Sequence, residues 1–203
     1  MPVTIHQCPS CGAELQSRLR LTKLVTCNYC DSLVMLEDDA TRLAGKRGVM
    51  AATPSLLEMQ RSFAWDGRTF TPMGHVRVGH AHGLWDEWWV MEGGDGMWFS
   101  VDEGDIAVEQ PLPANSITLR DWSDVRLGEP LRIGDELLIV SEIGEGRVQA
   151  VRGELPEILT VGQRFDYAHL SGPLSRLVTL EHEAGEITAS EGRWVDPFEI
   201  ARS

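Results

Sequence analysis

Residues 85–100 constrain the fold more than any other stretch. They begin Trp85-Asp86-Glu87-Trp88-Trp89-Val90-Met91, pass through Gly93-Gly94-Asp95-Gly96, and end Met97-Trp98-Phe99-Ser100. Four of the chain's seven tryptophans lie here. Side chains alternate across an extended chain, so Trp85, Glu87, Trp89 and Met91 share one face and Asp86, Trp88 and Val90 the other. Large apolar groups on both faces call for a central strand covered from two sides. The glycine-rich segment tolerates positive φ and reads as a hairpin turn. In the returning arm Met97, Phe99 and Val101 oppose Trp98 and Ser100. Indoles bury so much area that most of these rings are expected in the core. Trp98 shares its face with polar Ser100 and Asp102 and is the ring most suited to a ligand. Whether the Trp85/Trp88/Trp89/Trp98 cluster is core or ligand site stays open at the level of sequence.

Further short strands flank the hairpin. Arg68–Thr71 follows the turn Asp66-Gly67, and His75–Val78 alternates polar and apolar with the period of a half-buried strand. Beyond Gly128 strands are expected at Glu136–Val140, Gly146–Arg152, Arg164–Leu170, Leu177–His182, Glu186–Ala189 and Arg193–Val195. The turns between them fall at Gly144-Glu145-Gly146, Ser171-Gly172-Pro173, Ala184-Gly185 and Glu191-Gly192. Ile117–Val125 reads as a short helix or turn. Such spacing gives an all-β chain, a barrel-like or sandwich domain over 61–203. That span divides into halves 61–118 and 119–203, which a duplicated β-module would explain. Residues 1–36 form a separate small unit. Residues 37–60 read as a linker, partly helical if Thr53 caps a turn beginning at Pro54.

The small unit carries all four cysteines: Cys8-Pro9-Ser10-Cys11, then Cys27-Asn28-Tyr29-Cys30. Two residues between the members of each pair let both sulfurs reach one ion, and the intervening loop is long enough to return the second pair to the first. Four thiolates in a tetrahedron suit Zn²⁺, with Gly12 and Ser32 as small residues beside the pairs. A closed four-cysteine site keeps no open position, so the zinc is expected to be structural, folding a zinc ribbon too small to hold a core unaided. Iron in a rubredoxin-like site is the chemical rival.

Charge narrows the function classes. The net charge is −13, and residues 1–36 carry only Arg18, Arg20 and Lys23 against Glu14 and Asp31. The rest is therefore at −14, a field that repels phosphate backbones and anionic lipid. Nucleic-acid binding through the ribbon is accordingly the third-ranked reading. No secretory leader is visible and no apolar run is long enough to cross a bilayer, so a cytoplasmic chain is expected. His75, His80 and His82 lie close to Asp86 and Glu87, but no His-Glu-x-x-His helix is present. A nucleophile elbow, a phosphate-binding loop and a dinucleotide fingerprint are also missing. No catalytic or cofactor-binding residue is assigned, and the chain reads as a non-enzyme.

Several runs together resemble a known family. Trp85-Asp86-Glu87-Trp88-Trp89, Met97-Trp98-Phe99-Ser100, Gly153-Glu154-Leu155-Pro156 and Gly192-Arg193-Trp194-Val195 are similar to the bacterial domain-of-unknown-function family 4178, over roughly residues 61–200. Members often carry a Cys-Pro-x-Cys-Gly ribbon such as Cys8–Gly12. The resemblance implies an accessory to a membrane-stress or membrane-remodelling system, with indirect membrane association, and supplies no catalytic residue. The first expectation is a cytoplasmic adaptor with protein partners. The alternative is a small-molecule module for polyamine-like cations, which acidic residues and tryptophans suit.

Overall fold

The structure, a computed structural model, describes residues 4–17, 19, 21–37, 40–119 and 121–202. Arg18 and Arg20, two of the ribbon's three basic residues, lie outside the described residues. The described residues form strands and three short 3-10 turns, with no α-helix and no helix long and apolar enough to cross a membrane.

The N-terminal unit contributes β1 (Thr4–Gln7) and β2 (Glu14–Ser17), which pair with each other. Next come β3 (Leu24–Thr26), β4 (Ser32–Glu37) and β5 (Ala40–Lys46). β5 pairs β4 from Ala40 to Lys46, so the segment read as the start of a linker is the ribbon's last strand. No helix forms at Pro54. Leu57 is buried there instead, with its N–H on Ser55 Oγ at 3.2 Å.

A short β6 (Phe63–Trp65) precedes four consecutive antiparallel strands: β7 (Arg68–Gly79), β8 (Leu84–Glu92), β9 (Asp95–Asp102) and β10 (Asp105–Pro111). A short β11 (Pro130–Ile133) leads to a second set of four: β12 (Glu136–Leu155), β13 (Arg164–Ser171), β14 (Arg176–Glu183) and β15 (Glu186–Val195). The chain ends in β16 (Ala201–Arg202), paired with β6. Each half read from sequence thus supplies one four-stranded meander. β10 pairs β15 on one side, and β12 pairs β7 on the other, so the eight strands run round a ring.

Closure rests on β12. Ile139–Arg147 pairs β13, Arg147–Gly153 pairs β7, and Glu154–Leu155 pairs β3; only Arg147 serves both ring neighbours. Two turns expected from sequence are interior to strands. Gly144 and Gly146 sit in β12 opposite Tyr167 and Phe165, whose rings occupy the space where a Cβ would stand, 2.6 and 2.5 Å away. Gly192 sits in β15 with Val108 O at 1.8 Å from its would-be Cβ. These glycines mark close approach between strands, the other use of glycine in a sheet. The expected turns at Asp66-Gly67 and Ala184-Gly185 are genuine, with both residues of each pair at positive φ.

The cores lie largely outside the ring. One cluster joins Trp88, Val90, Phe99 and Ile106 on the outward face of the first meander to Phe63, Trp65, Phe70 and Ile200. Phe63 meets Phe99 edge-on with centroids 5.3 Å apart. Another covers Val140, Leu170, Val178 and Leu180 on the second meander with Val125 and Ile133 from the long connection. The third brings Leu24 and Leu33 of the ribbon to inward-facing Trp89, Val76 and Val151. The two faces of β8 are both covered, as its alternation predicts.

At the closing seam Gly153 pairs Gly74. Gly153 has φ +75°, and a Cβ there would lie 2.1 Å from Met73 O. Gly153→Ala combines left-handed strain with a backbone clash and is expected to lower the unfolding free energy by about 1–3 kcal/mol, read from urea denaturation.

Candidate functional site

Two places gather side chains capable of chemistry. The first is the cysteine knot. Its two turns are built alike: Cys8 N–H donates to Ala13 O and Gly12 N–H to Cys8 O, while Cys27 N–H donates to Ser32 O and Asp31 N–H to Cys27 O. Gly12 and Asp31 hold the matching positive φ, 74° and 60°. The second small residue expected, Ser32, instead places its hydroxyl 3.3 Å from Cys30 Sγ and accepts from Lys46 Nζ. Cys8 and Cys30 sulfurs are 3.7 Å apart, Cys11 and Cys27 sulfurs 3.8 Å. A tetrahedral ion with metal–sulfur bonds of about 2.3 Å sets its ligands about 3.8 Å apart. Cys8, Cys11, Cys27 and Cys30 form no disulfide and could hold a metal ion.

The second place is the lumen of the ring. It holds a cavity of about 520 Å³, lined from all eight ring strands, from the loop after β12, and from Leu112, Ala114 and Ile117 of the connection after β10. Six glutamates line it: Glu87, Glu109, Glu157, Glu181, Glu183 and Glu186, with no arginine or lysine among the lining residues. Trp85, Trp98, Val76, Val78, Val148 and Phe165 make the apolar wall. Strand phase puts the acids there. Glu87 faces Ser100 across β8–β9, Glu109 faces Trp98 across β9–β10, and Glu181 faces Tyr167 across β13–β14. Glu109 is buried and Glu87 half-buried, whereas Glu181, Glu183 and Glu186, and Glu157 on the loop after β12, are exposed to solvent at the cavity wall.

Glu87 accepts from Trp85 Nε1 at 2.8 Å and from Ser100 Oγ at 2.6 Å. Ser100 Oγ is also 3.3 Å from Glu109 Oε2. A serine has one hydroxyl hydrogen, so both contacts are satisfied together only when one carboxyl carries a proton and donates it. The electrostatics agree. Burial, with Glu109 nearby, pushes Glu87 up to about 7. The surrounding protein mass, then the charges of Glu157, Glu87, Glu109 and Glu183, push Glu181 up to about 8; water in the cavity moderates that rise. Desolvation likewise raises Glu109 and Glu157. On β12 the opposite holds. Glu142 takes a hydrogen bond from Tyr167 Oη at 2.8 Å, lies 3.2 Å from His169 Nδ1, and is pulled down to about 2, chiefly by His169. Burial opposes a proton on His169, but Glu142, Glu109 and Glu87 outweigh it and raise His169.

The four tryptophans of the opening stretch divide. Trp88 is outer core, stacked on His75 at 3.7 Å, and Trp89 is buried against Trp98 and Leu24's cluster. Trp85 and Trp98 line the cavity. Among the described residues the histidines do not assemble a metal site. His75 is 2.9 Å from Asp86, which also takes Arg77 in a two-pronged pair, and Arg77 reaches Ala51 O and Thr53 Oγ1. This network pins the 50–53 strap to the barrel. His80 and His82 are 6.2 Å apart near the β7–β8 turn. Sequence reasoning missed Glu109, Glu181, Glu142 and His169. Their signal was phase: glutamates on the strand face that also carries Trp85, Trp98 or Phe165.

A family model described as a domain of unknown function (DUF4178) matches residues 60–197. No curated protein and no solved structure matches the chain. The match spans more than half of the chain, which belongs to that family.

Folding raises the affinity of Glu87 and Glu181 for protons above that of the unfolded chain. Their contribution is therefore full below about pH 4.5 and lost as pH rises through about 7 to 8. His169 adds loss in the same direction, whereas His75, whose affinity is lowered by burial, opposes it around pH 6.5. Glu142 and Asp86, both near 2, contribute above about pH 4 and lose that contribution as pH falls. The melting temperature of the ligand-free protein is expected to peak near pH 5 and to fall toward pH 8, with the fall smaller in Glu181→Gln, as followed by calorimetry.

Proposed function

We propose that this member of the DUF4178 family is a non-catalytic binding module whose barrel lumen takes a small organic cation. One observation carries the reading: a cavity of about 520 Å³ within the ring has six glutamates in its wall and no arginine or lysine. The size falls in the range of small-ligand pockets. Desolvation and then the neighbouring glutamates raise the proton affinity of Glu181, so an entering cation competes with protons and relieves repulsion. The indoles of Trp85 and Trp98 line the cavity, and indole rings attract cations. This is the reading ranked second from sequence. The adaptor reading, with protein partners beside a membrane-stress system in the cytoplasm, is supported by the closed cysteine knot, the acidic charge and the family resemblance, and no feature of the fold favours it comparably.

The ion at Cys8, Cys11, Cys27 and Cys30 is proposed to be structural Zn²⁺. The sulfur spacing supports a closed tetrahedral site, and the ribbon's Leu24 and Leu33 pack on the barrel's inner cluster. The residues supply no free coordination position for chemistry.

Spermidine, choline and hexylamine titrated against tryptophan emission test the lumen. At least one is expected to give a saturable change, and no change with any of them up to millimolar concentration overturns the reading. For the knot, mass spectrometry of the native protein is expected to find one zinc per chain, and chelation is expected to lower the melting temperature. Less than half an equivalent of zinc, with iron in its place, refutes the assignment.

A further inference from the structure

We propose that the lumen's ligand is a linear diamine or polyamine, its ammonium groups held by different carboxylates, Glu109 and Glu181, and its alkyl stem by Trp85 and Trp98. The proposal rests on the lumen reading and narrows it. Three observations carry it.

The first separates an organic cation from a metal ion. Among the described residues, Cys8, Cys11, Cys27 and Cys30 form the one group whose ligand atoms converge within 4.8 Å. The lumen's glutamates are distributed around the wall on β8, β10, β14, β15 and the loop after β12, and no three of them meet that distance. A small divalent ion needs converging oxygens at bonding distance. Dispersed carboxylates match a ligand whose positive charges are themselves dispersed.

The second is a buried acceptor in the cavity wall without a well-formed partner. Glu109 is 6% exposed, and its Oε2 is beside Ser100, but its Oε1 has no partner in hydrogen-bonding geometry. Thr179 Oγ1, also in the cavity wall, is within reach of the Glu109 carboxylate and favours its charged form, but the two meet only in poor hydrogen-bonding geometry. A buried acceptor left unsatisfied is destabilising, the more so when charged. Gly192 helps to place this group: a Cβ on Gly192 would stand 2.8 Å from Glu109 Cγ, so its absence leaves room for the glutamate to lie across β15. An ammonium carries three donors and no acceptor, which complements such a pair of oxygens.

The third is the character of the wall. Between the acids run Trp85, Trp98, Val76, Val78, Val148 and Phe165. A compact polyol or an amino acid would leave polar groups against these side chains. A methylene chain would bury its length there, each CH₂ removed from water adding to the affinity. A wall with separated acids and apolar surface between them is complementary to an alkyl chain with amines at its ends. A monoamine satisfies one end alone and leaves the other carboxylates unpaired.

Calorimetric titration of the full, metal-loaded chain at pH 7.5 with 1,6-diaminohexane, hexylamine and Mg²⁺ tests the proposal. The diamine is expected to bind at least tenfold more tightly than hexylamine, with Mg²⁺ failing to compete at equal concentration. Glu109→Gln and Glu181→Gln are each expected to weaken the diamine at least tenfold. Both variants are also expected to melt no lower than the parent without ligand, because each removes one of several like charges at constant shape; a merely structural glutamate would lower it. Hexylamine binding within tenfold of the diamine overturns the diamine assignment and leaves the cation-binding lumen standing. Binding of neither amine overturns the diamine assignment, and the lumen reading falls with it when spermidine and choline also leave tryptophan emission unchanged. Displacement of the diamine by equimolar Mg²⁺ transfers the site to a metal ion and also overturns the proposal.

Discussion

Everything in this fold depends on one strand changing partners. Glu136–Leu155 runs unbroken for 20 residues and pairs in turn with β13, β7 and β3. An antiparallel sheet with two free edges would expose unpaired backbone donors and acceptors; passing one long strand from the last ring neighbour to the first removes both edges. The seam is narrow, and it is reinforced locally. Gly153 and Gly74 allow the backbones to approach, and the 47–53 strap is hydrogen-bonded across it through Val151 N–H to Arg47 O and Arg152 to Met50 O. At the strand's end Glu154 accepts from Thr22 Oγ1 at 2.8 Å and from Leu19 N–H, tying the ribbon to the same strand. The ribbon that carries the cysteine knot is therefore tied to the end of the element that closes the ring.

Closure of this kind changes where the core has to be. An isolated eight-stranded barrel normally fills its own interior with side chains. Here β6, β16 and the 112–133 connection cover the outside, so the outward phase of each meander carries Trp88, Phe99, Leu170 and Leu180 and supplies much of the burial. The inward phase is released from that duty. Part of it still packs, where Trp89, Val76 and Val151 meet the ribbon's Leu24 and Leu33. The remainder carries carboxylates. Crowding several like charges into a ring without cations is costly, and replacing buried ionic groups by apolar ones of similar volume is often neutral or stabilising. A sequence that keeps Glu87, Glu109 and Glu181 inward gives up stability at neutral pH, and proteins do that where a ligand returns it.

The parts of this architecture that depend on local chemistry were legible in the sequence. The paired cysteines, the Asp66-Gly67 and Ala184-Gly185 turns and the two-faced alternation of Trp85–Met91 each reflect a few adjacent residues, and each appears as read. The parts that depend on distant strands were not. Gly144, Gly146 and Gly192 look like turn residues because nothing local says that Tyr167, Phe165 or Val108 will lie against them. β5 looked like linker because its pairing to β4 is weakly apolar, with Thr41, Leu43 and Gly45 in place of a hydrophobic run. The lumen was hidden for a related reason. A glutamate on a strand reads as solvated, and only closure of the ring turns the solvent-facing side of Glu87, Glu109 and Glu181 into a wall.

The division within one hairpin argues that fold and site are inseparable. On β8, Trp88 and Val90 hold the outer core while Trp85 and Glu87, one step away in phase, face the cavity. On β9, Phe99 and Trp98 divide in the same way. Because side chains alternate strictly, shifting β8 by one residue would carry Glu87 into the outer aromatic cluster and Trp88 into the lumen, and shifting β9 would exchange Phe99 and Trp98 in the same way. The aromatic packing that fixes the register, Phe99 against Phe63 and Trp65, therefore also fixes which carboxylates face inward. The outer core and the charged lumen are built from neighbouring residues of the same two strands, and neither can slip without the other.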